Sequence, residues 1–312
     1  MKAVLPAAAR PLLEPHLPSD LDVEWFATPS EANAAIADAD IAWVDMQPTH
    51  LVADAIRAAG PQLKWVSTIY AGLDAFPLAW LHDRGVILTN GAGINAVAVA
   101  EYAVMGILVA AKRLDTVLRA QAEHVWLKDA PGKIELADTR ALVIGYGTIG
   151  AMIGDRLAAF GVDVTGVTRT GRDATLTPDA WRDRLGEFDW VVLAAPSTDA
   201  TKTLIGSGEL AAMKDSGWLI NIARGDMIDD EALLAALRSG QIGGAFLDPT
   251  HPEPLPADHP LWSAPNTILT MHLSGRSQTR MFQRGAALFL DNLQAYRAGS
   301  AMRNVADLGA GY

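Results

Sequence analysis

Short apolar runs at Val23–Phe26, Ile41–Met46, Trp65–Thr68 and Val86–Leu88 alternate with stretches of helical periodicity such as Pro29–Ala39 and Leu51–Ala59. Strands separated by helices in this way predict βα units and a parallel sheet. A long apolar stretch, Asn95–Lys112, predicts a buried helix, and a polar, tryptophan-containing connection, Leu114–Thr139, follows it. The pattern then restarts. Strands are expected at Ala141–Ile144, Asp163–Thr168, Trp190–Ala194, Trp218–Ile222, Gly244–Leu247 and Thr267–Met271, with helices between them. Ile153, Leu157 and Phe160 keep helical spacing, and Gly161 stands where a C-terminal cap belongs. Asp229 is placed to cap a helix that buries Leu233, Leu234 and Leu237 and stops at Gly240. A last helix, about Gln278 to Ala298, lies beyond the final strand, so the chain end is expected to return to the first block.

With 312 residues the chain has room for two domains of ordinary size. Its composition, 50% apolar and 20% charged, argues against disorder. Twenty-five basic against 36 acidic side chains leave a net charge of −11, which repels nucleic-acid phosphates and anionic membranes, so neither is an expected partner. There is no cysteine. That removes disulfides, thiolate metal sites and thiol nucleophiles together, and a cytoplasmic enzyme is the natural expectation. Pro6, Arg10 and Pro11 break the apolar start of the chain, which reads as a first strand rather than a signal peptide. Ala96–Ala111 is too short to span a membrane and carries Glu101. His16, His50, His82, His124, His251 and His259 show no ligand spacing, and no metal is expected.

Gly145-Tyr146-Gly147-Thr148-Ile149-Gly150 has G-x-G-x-x-G spacing between an expected strand and an expected helix. In that setting the first glycine permits the tight turn, the second admits a pyrophosphate to the backbone, and the third lets helix and strand pack closely. The amides of Thr148 and Ile149 then face the anion. An NAD site ends its next strand in a carboxylate for the ribose hydroxyls, whereas this chain reads Val167-Thr168-Arg169-Thr170-Gly171-Arg172. Arg169, Thr170 and Arg172 offer charge and hydroxyls to a 2′-phosphate, so NADP is the expected cofactor. The alternative, arginines solvated in a loop and an enzyme using either NADP or NAD, stays open.

Arg224 follows the run Trp218–Ile222, and His272 follows Thr267–Met271. Both fall at carboxyl ends of expected strands, where open α/β sheets bind ligands. A planar guanidinium suits a carboxylate and a neighbouring carbonyl oxygen, and an imidazole exchanges protons near neutral pH. Glu253, in a proline-rich loop, is the nearest carboxylate to orient His272 and stabilise its charged form. Asp248 ends a strand and has two readings, a contact to the cofactor's carboxamide or a turn cap before Pro249.

Together these segments resemble the D-isomer-specific 2-hydroxyacid dehydrogenase family over nearly the whole chain. Leu63 to Asp74, Ala100-Glu101, Pro196 with Thr198 and Thr201, the Arg224 segment, Leu247-Asp248, Glu253-Pro254-Leu255-Pro256 and Pro260-Leu261-Trp262 fit its pattern in order. The resemblance implies an α/β protein of two doubly wound parallel-sheet domains. In it a Rossmann cofactor domain, residues 95–285, is inserted in a flavodoxin-like substrate domain, residues 1–94 and 286–312, with the reaction in the cleft between them. It implies backbone amides of Ala71 and Gly72 on the substrate carboxylate, Arg224 on carboxylate and keto oxygen, and His272 exchanging the proton with Glu253 in support. Ala195, Pro196, Thr201, Ile222, Ser274 and Gly275 would border the cofactor, and a homodimer built through the cofactor domains is the usual assembly. Thr168-Arg169-Thr170 and the terminal Gly311-Tyr312 look most like NADPH-dependent glyoxylate and hydroxypyruvate reductases. Met271 replaces the family's usual proline before the histidine, and Pro249-Thr250 replaces a typical Val-Phe, departures that bear on the substrate. Two rival functions share the fold: a nicotinamide-sensing regulatory protein, and a formate or phosphite dehydrogenase. The formate enzymes generally pair the histidine with glutamine, unlike Glu253.

Overall fold

The computed structural model describes residues 1–46, 48–172, 175–276 and 280–309, which form two compact units, Met1–Asn95 with Ser277–Tyr312, and Ala96–Arg276. The start of the expected last helix at Gln278 and the Gly311-Tyr312 terminus lie outside the described residues.

In the first unit β1 (Lys2–Pro6), β2 (Asp22–Phe26), β3 (Ile41–Ala42), β4 (Trp65–Ser67) and β5 (Ile87–Thr89) form a parallel sheet in the order β2-β1-β3-β4-β5. This is the flavodoxin-like winding, with its switch point between β1 and β3. Helices α1 (Arg10–Leu13), α2 (Pro29–Ala35), α3 (His50–Arg57) and α4 (Leu78–Asp83) connect the strands. Thr28 and Glu31 cap α2 reciprocally, each accepting an amide of the other's end. The strand expected over Ile41–Met46 pairs only at Ile41–Ala42, because Trp43 to Asp45 already belong to the strand-end loops.

The second unit opens with α5 (Ala96–Lys112) and α6 (Leu114–Ala122). Its sheet runs β11-β10-β9-β8-β6-β7, all parallel, from β6 (Arg140–Ile144), β7 (Asp163–Val167), β8 (Trp190–Leu193), β9 (Trp218–Asn221), β10 (Gly244–Leu247) and β11 (Thr267–Leu269). A single parallel bridge from Leu176 to Val167 lies beyond β7. It occupies the place of the third Rossmann strand, so the doubly wound order is kept with that strand reduced to one residue. Helix α7 (Thr148–Ala158) follows the glycine turn; α8 (Ser207–Ala212) and α9 (Asp230–Ser239) follow later strands. Gly161 and Gly240 take left-handed φ where α7 and α9 end, and Val162 and Gln241 close the last turns onto Leu157 and Ala236. Asp229 caps α9 by accepting from the Ala232 amide at 3.0 Å.

Two readings of the sequence change. The connection after Lys112 contains α6, which buries only Ala120 and turns Val117 and Leu118 outward, so it leaves no buried apolar stripe within its own unit. The final helix, α10 (Arg280–Ala298), belongs to the first unit along its whole length, so that unit resumes at 277 rather than 286. Met281, Phe282 and Phe289 pack with Trp43 and Trp65, and Phe289 stacks on Trp65 at 5.0 Å between ring centroids.

Candidate active site

The candidate side chains sit beyond the carboxyl ends of β9, β10 and β11. Asn221, fully buried at the end of β9, accepts from the Ala223 amide at 2.9 Å and donates to the Arg224 carbonyl at 2.8 Å. This clamp turns the chain so that Arg224 is extended (φ −144°) and half-buried, its guanidinium donating to the Ala223 carbonyl at 2.8 Å. Gly225 follows because a Cβ there would overlap the Thr250 carbonyl group. The arginine segment and the Thr250–Glu253 loop are thereby held in direct backbone contact.

Asp248 follows directly on β10 and has no exposed surface. Its carboxylate accepts from Thr270 Oγ1 at 2.8 Å, from the Leu273 amide at 2.9 Å and from the Ser274 amide at 3.1 Å, and its carbonyl accepts from the His272 amide at 2.7 Å. Both carboxylate oxygens organise the histidine loop. That loop needs such support, since Met271 and His272 take left-handed φ of 54° and 56°, each a cost of roughly 1–2 kcal/mol for a residue with a side chain. Proline, fixed near φ −65°, cannot adopt the Met271 geometry.

His272 Nδ1 lies 2.8 Å from Glu253 Oε2, and Glu253 Oε1 accepts from the Thr250 amide at 3.1 Å. Burial raises the Glu253 carboxyl, but the His272 hydrogen bond and charge, the Thr250 amide and the Arg224 charge outweigh it and hold its pKa below the ordinary glutamate value. Glu253 is therefore the acceptor and Nδ1–H the donor. Nε2 is left as the nitrogen that exchanges a proton with a substrate.

The glycine turn has the form a dinucleotide needs. Gly145 takes φ 97° and presses on the Ala194–Ala195 backbone; a Cβ at Gly150 would overlap the Gly145 carbonyl; beside Gly147 the space is open. The amides of Gly145 and Tyr146 donate to the Val167 carbonyl, which sets the end of β7 against the turn. Arg169, Thr170 and Arg172 follow in an exposed turn, braced by Thr168 Oγ1 accepting from the Gly171 amide at 3.0 Å. On the other side Thr201 Oγ1 donates to the Pro196 carbonyl at 2.7 Å and accepts from the Thr198 amide at 2.8 Å, folding the Ala195–Thr201 loop onto itself. Ser197 Oγ donates to Asp226 at 2.9 Å and the Thr203 amide to the Asp226 carbonyl at 2.8 Å, so this loop is tied to the Arg224 segment. Ile222 and Ser274 are buried and Gly275 half-buried. Sequence reasoning did not single out Asn221 or Thr270; a polar residue closing each apolar strand run was the available signal.

In the first unit Ala71 and Gly72 lie in the loop after β4, and among the described residues their amides donate to no partner.

A model of the D-isomer specific 2-hydroxyacid dehydrogenase NAD-binding domain matches residues 104–274. A glyoxylate reductase of Thermofilum pendens is 34% identical over 254 residues, which cover 78% of this chain and 75% of the relative. The structure of a D-isomer specific 2-hydroxyacid dehydrogenase family protein from Aeromonas salmonicida superposes with a TM-score of 0.88 at 28% identity, covering 98% of this chain and 99% of that one. A D-isomer specific 2-hydroxyacid dehydrogenase from Xanthobacter autotrophicus, in complex with NADPH and MES, superposes with a TM-score of 0.78 at 29% identity over 100% and 99% of the two chains. The chain belongs to the D-isomer specific 2-hydroxyacid dehydrogenases, oxidoreductases that work with a nicotinamide dinucleotide. Among the described residues, no helix is long and apolar enough to cross a membrane.

Proposed function

We propose that the protein reduces a small 2-oxo acid of the glyoxylate or hydroxypyruvate kind to the D-2-hydroxy acid, with NADPH preferred over NADH. The observation that carries this reading is the 2.8 Å Glu253–His272 pair, held in the same unit as Arg224 and the glycine turn. The open side of Gly147 and the first amides of α7 would receive the pyrophosphate, with Ala195, Pro196, Thr201, Ile222, Ser274 and Gly275 along the rest of the cofactor. Arg169, Thr170 and Arg172 would meet the 2′-phosphate. The reduced cofactor supplies a hydride.

The remaining steps fall to the chain itself. Arg224 pairs its guanidinium with the substrate carboxylate and the keto oxygen, polarising C2, and the amides of Ala71 and Gly72 take the carboxylate. His272, as imidazolium, delivers a proton from Nε2 to the oxygen developing on C2, while Glu253 receives Nδ1–H and stabilises the charge. Asp248 fixes the loop on which His272 stands. In the opposite direction neutral His272 accepts the proton.

We further infer a homodimer formed through the α5–α6–α7 face. Val104, Met105, Leu108, Leu114 and Phe160 line an apolar hollow of about 630 Å³ there, and Leu118 on α6 and Trp126 in the chain after it are 55% and 91% exposed.

Purified protein assayed with NADPH and with NADH against a panel of 2-oxo acids tests the enzymatic reading. Turnover of glyoxylate or hydroxypyruvate, faster with NADPH, is expected. Oxidation of formate or phosphite without 2-oxo acid reduction would replace it, and dinucleotide binding without any turnover would favour a sensor.

A further inference from the structure

Asp45 lies just past β3, at the carboxyl edge of the first sheet and next to its switch point. Its carboxylate accepts three hydrogen bonds. Trp43 Nε1 at 2.7 Å and the Ile69 amide at 2.8 Å donate to Oδ2, and Thr68 Oγ1 at 2.6 Å donates to Oδ1. Thr68 Oγ1 accepts in turn from the Tyr70 amide at 3.0 Å. One carboxylate therefore fixes two consecutive residues of the chain leaving β4 directly and a third through the threonine hydroxyl. The next two residues are Ala71 and Gly72.

The surroundings make this an expensive place for a charge. Trp43 and Ile69 are buried, and α10 crosses them so closely that a Cβ at Gly285 would overlap the Ile69 side chain. Burial pushes the Asp45 carboxyl up to about 6 even though all three donors act to lower it. Asp45 is half-buried as a residue, and among the described residues no charged side chain contributes to that shift, so no cation offsets the desolvation of its carboxylate. If the anion only filled space, an apolar side chain would do so at lower cost.

We propose that Asp45 is a positioning residue for the substrate carboxylate, holding the Thr68–Tyr70 backbone so that the amides of Ala71 and Gly72 meet the anion in a fixed orientation. The inference rests on the proposed role of those two amides. Asp45 does not touch the substrate. Its own charge repels an anionic ligand, so the through-space effect and the positioning effect have opposite signs. Neutralising Asp45 would tighten 2-oxo acid binding if charge alone mattered, and weakens it if the hydrogen bonds orient the loop.

The test is steady-state kinetics of the full-length wild type, Asp45→Asn and Thr68→Val with NADPH, using glyoxylate and a neutral glyoxylate ester, together with NADPH titration of each protein. For both variants the KM for glyoxylate should rise roughly tenfold, the loss associated with one or two oriented hydrogen bonds, while kcat stays within about twofold. NADPH affinity should be unchanged. The wild-type preference for acid over ester should shrink by the same factor in the variants. Variants that keep the wild-type KM and acid preference, or bind glyoxylate more tightly, overturn the role of Asp45 alone. A wild-type enzyme that turns over 2-oxo substrates with no preference for the acid overturns the amide reading and the inference with it. Should Asp45→Asn fail to fold, Thr68→Val, which keeps side-chain volume and removes a donor, carries the test.

Discussion

At the scale of single residues the direction of the proton decides what Glu253 does. Its pKa lies below that of an ordinary glutamate, so its folded-state ionisation stabilises the pair above the unfolded pKa and is lost only as pH falls through the depressed value. Through the working range it is therefore an anion accepting from Nδ1–H, a partner that Glu253→Gln replaces with a neutral amide. Reduction needs imidazolium. In Glu253→Gln the alkaline limb of the reduction profile should move to lower pH, and oxidation, which needs neutral imidazole, should reach its plateau at lower pH. Paired pH profiles of kcat/KM in the two directions check this, and limbs that stay in place would leave Glu253 as loop structure. The strand-end places of Arg224 and His272, and of Glu253 in the loop between them, were legible in sequence because apolar runs mark where the strands stop. Asp45 was not, because nothing in Trp43-Val44-Asp45 reveals that donors at Thr68 and Ile69 converge on it. Asp248 was half legible: its strand-end place showed, but its four loop hydrogen bonds depend on chain far along the sequence.

At the scale of elements, periodicity located the strands to within a residue or two wherever a strand is buried on both faces, as in β8, β9 and β10. It failed chiefly where burial is one-sided or absent. Helix α6 offers its apolar residues to solvent, and the Leu176 bridge is one residue long; β3 is a separate case, buried throughout but paired over only two residues because the chain leaves the sheet after Ala42. The glycine turn and the end of β7 form a unit legible from spacing alone, and they carry the cofactor prediction. Arg169 stands exposed where an acidic ribose ligand would sit in an NAD enzyme. Arg169→Asp should raise the NADPH KM by roughly one to two orders of magnitude, since a charge-assisted contact is exchanged for repulsion. It should alter the NADH KM far less and leave the 2-oxo acid KM within about twofold. A variant that still prefers NADPH would move the 2′-phosphate away from β7.

At the scale of the whole molecule two liabilities stand out, a desolvated acid and an uncovered apolar face. Asp45 has a folded-state pKa of about 6, above its unfolded value, so its contribution to stability is fully present below the unfolded pKa and is lost as pH rises through about 6. Between pH 4 and 7 the stability difference between Asp45→Asn and wild type should therefore shift in favour of the variant by about 2 kcal/mol, whatever its offset, as denaturation at several pH values would show. A difference independent of pH would contradict the raised pKa. The apolar face belongs to the second unit, where Leu118, Trp126 and the hollow beside Met105 and Phe160 leave large side chains in water. A symmetric dimer removes them by placing the same face of each copy together. At a net charge of −11 per chain the copies repel at long range, so association must come from this contact and should strengthen with moderate salt. Leu118→Glu combined with Trp126→Glu brings like charges into the contact twice by symmetry. Light scattering should find twice the chain mass for wild type and a concentration-dependent fall towards one chain mass for the variant, with NADPH binding retained. If wild type is monomeric at micromolar concentration, that face serves another partner; if the variant stays dimeric, the contact lies elsewhere on the chain.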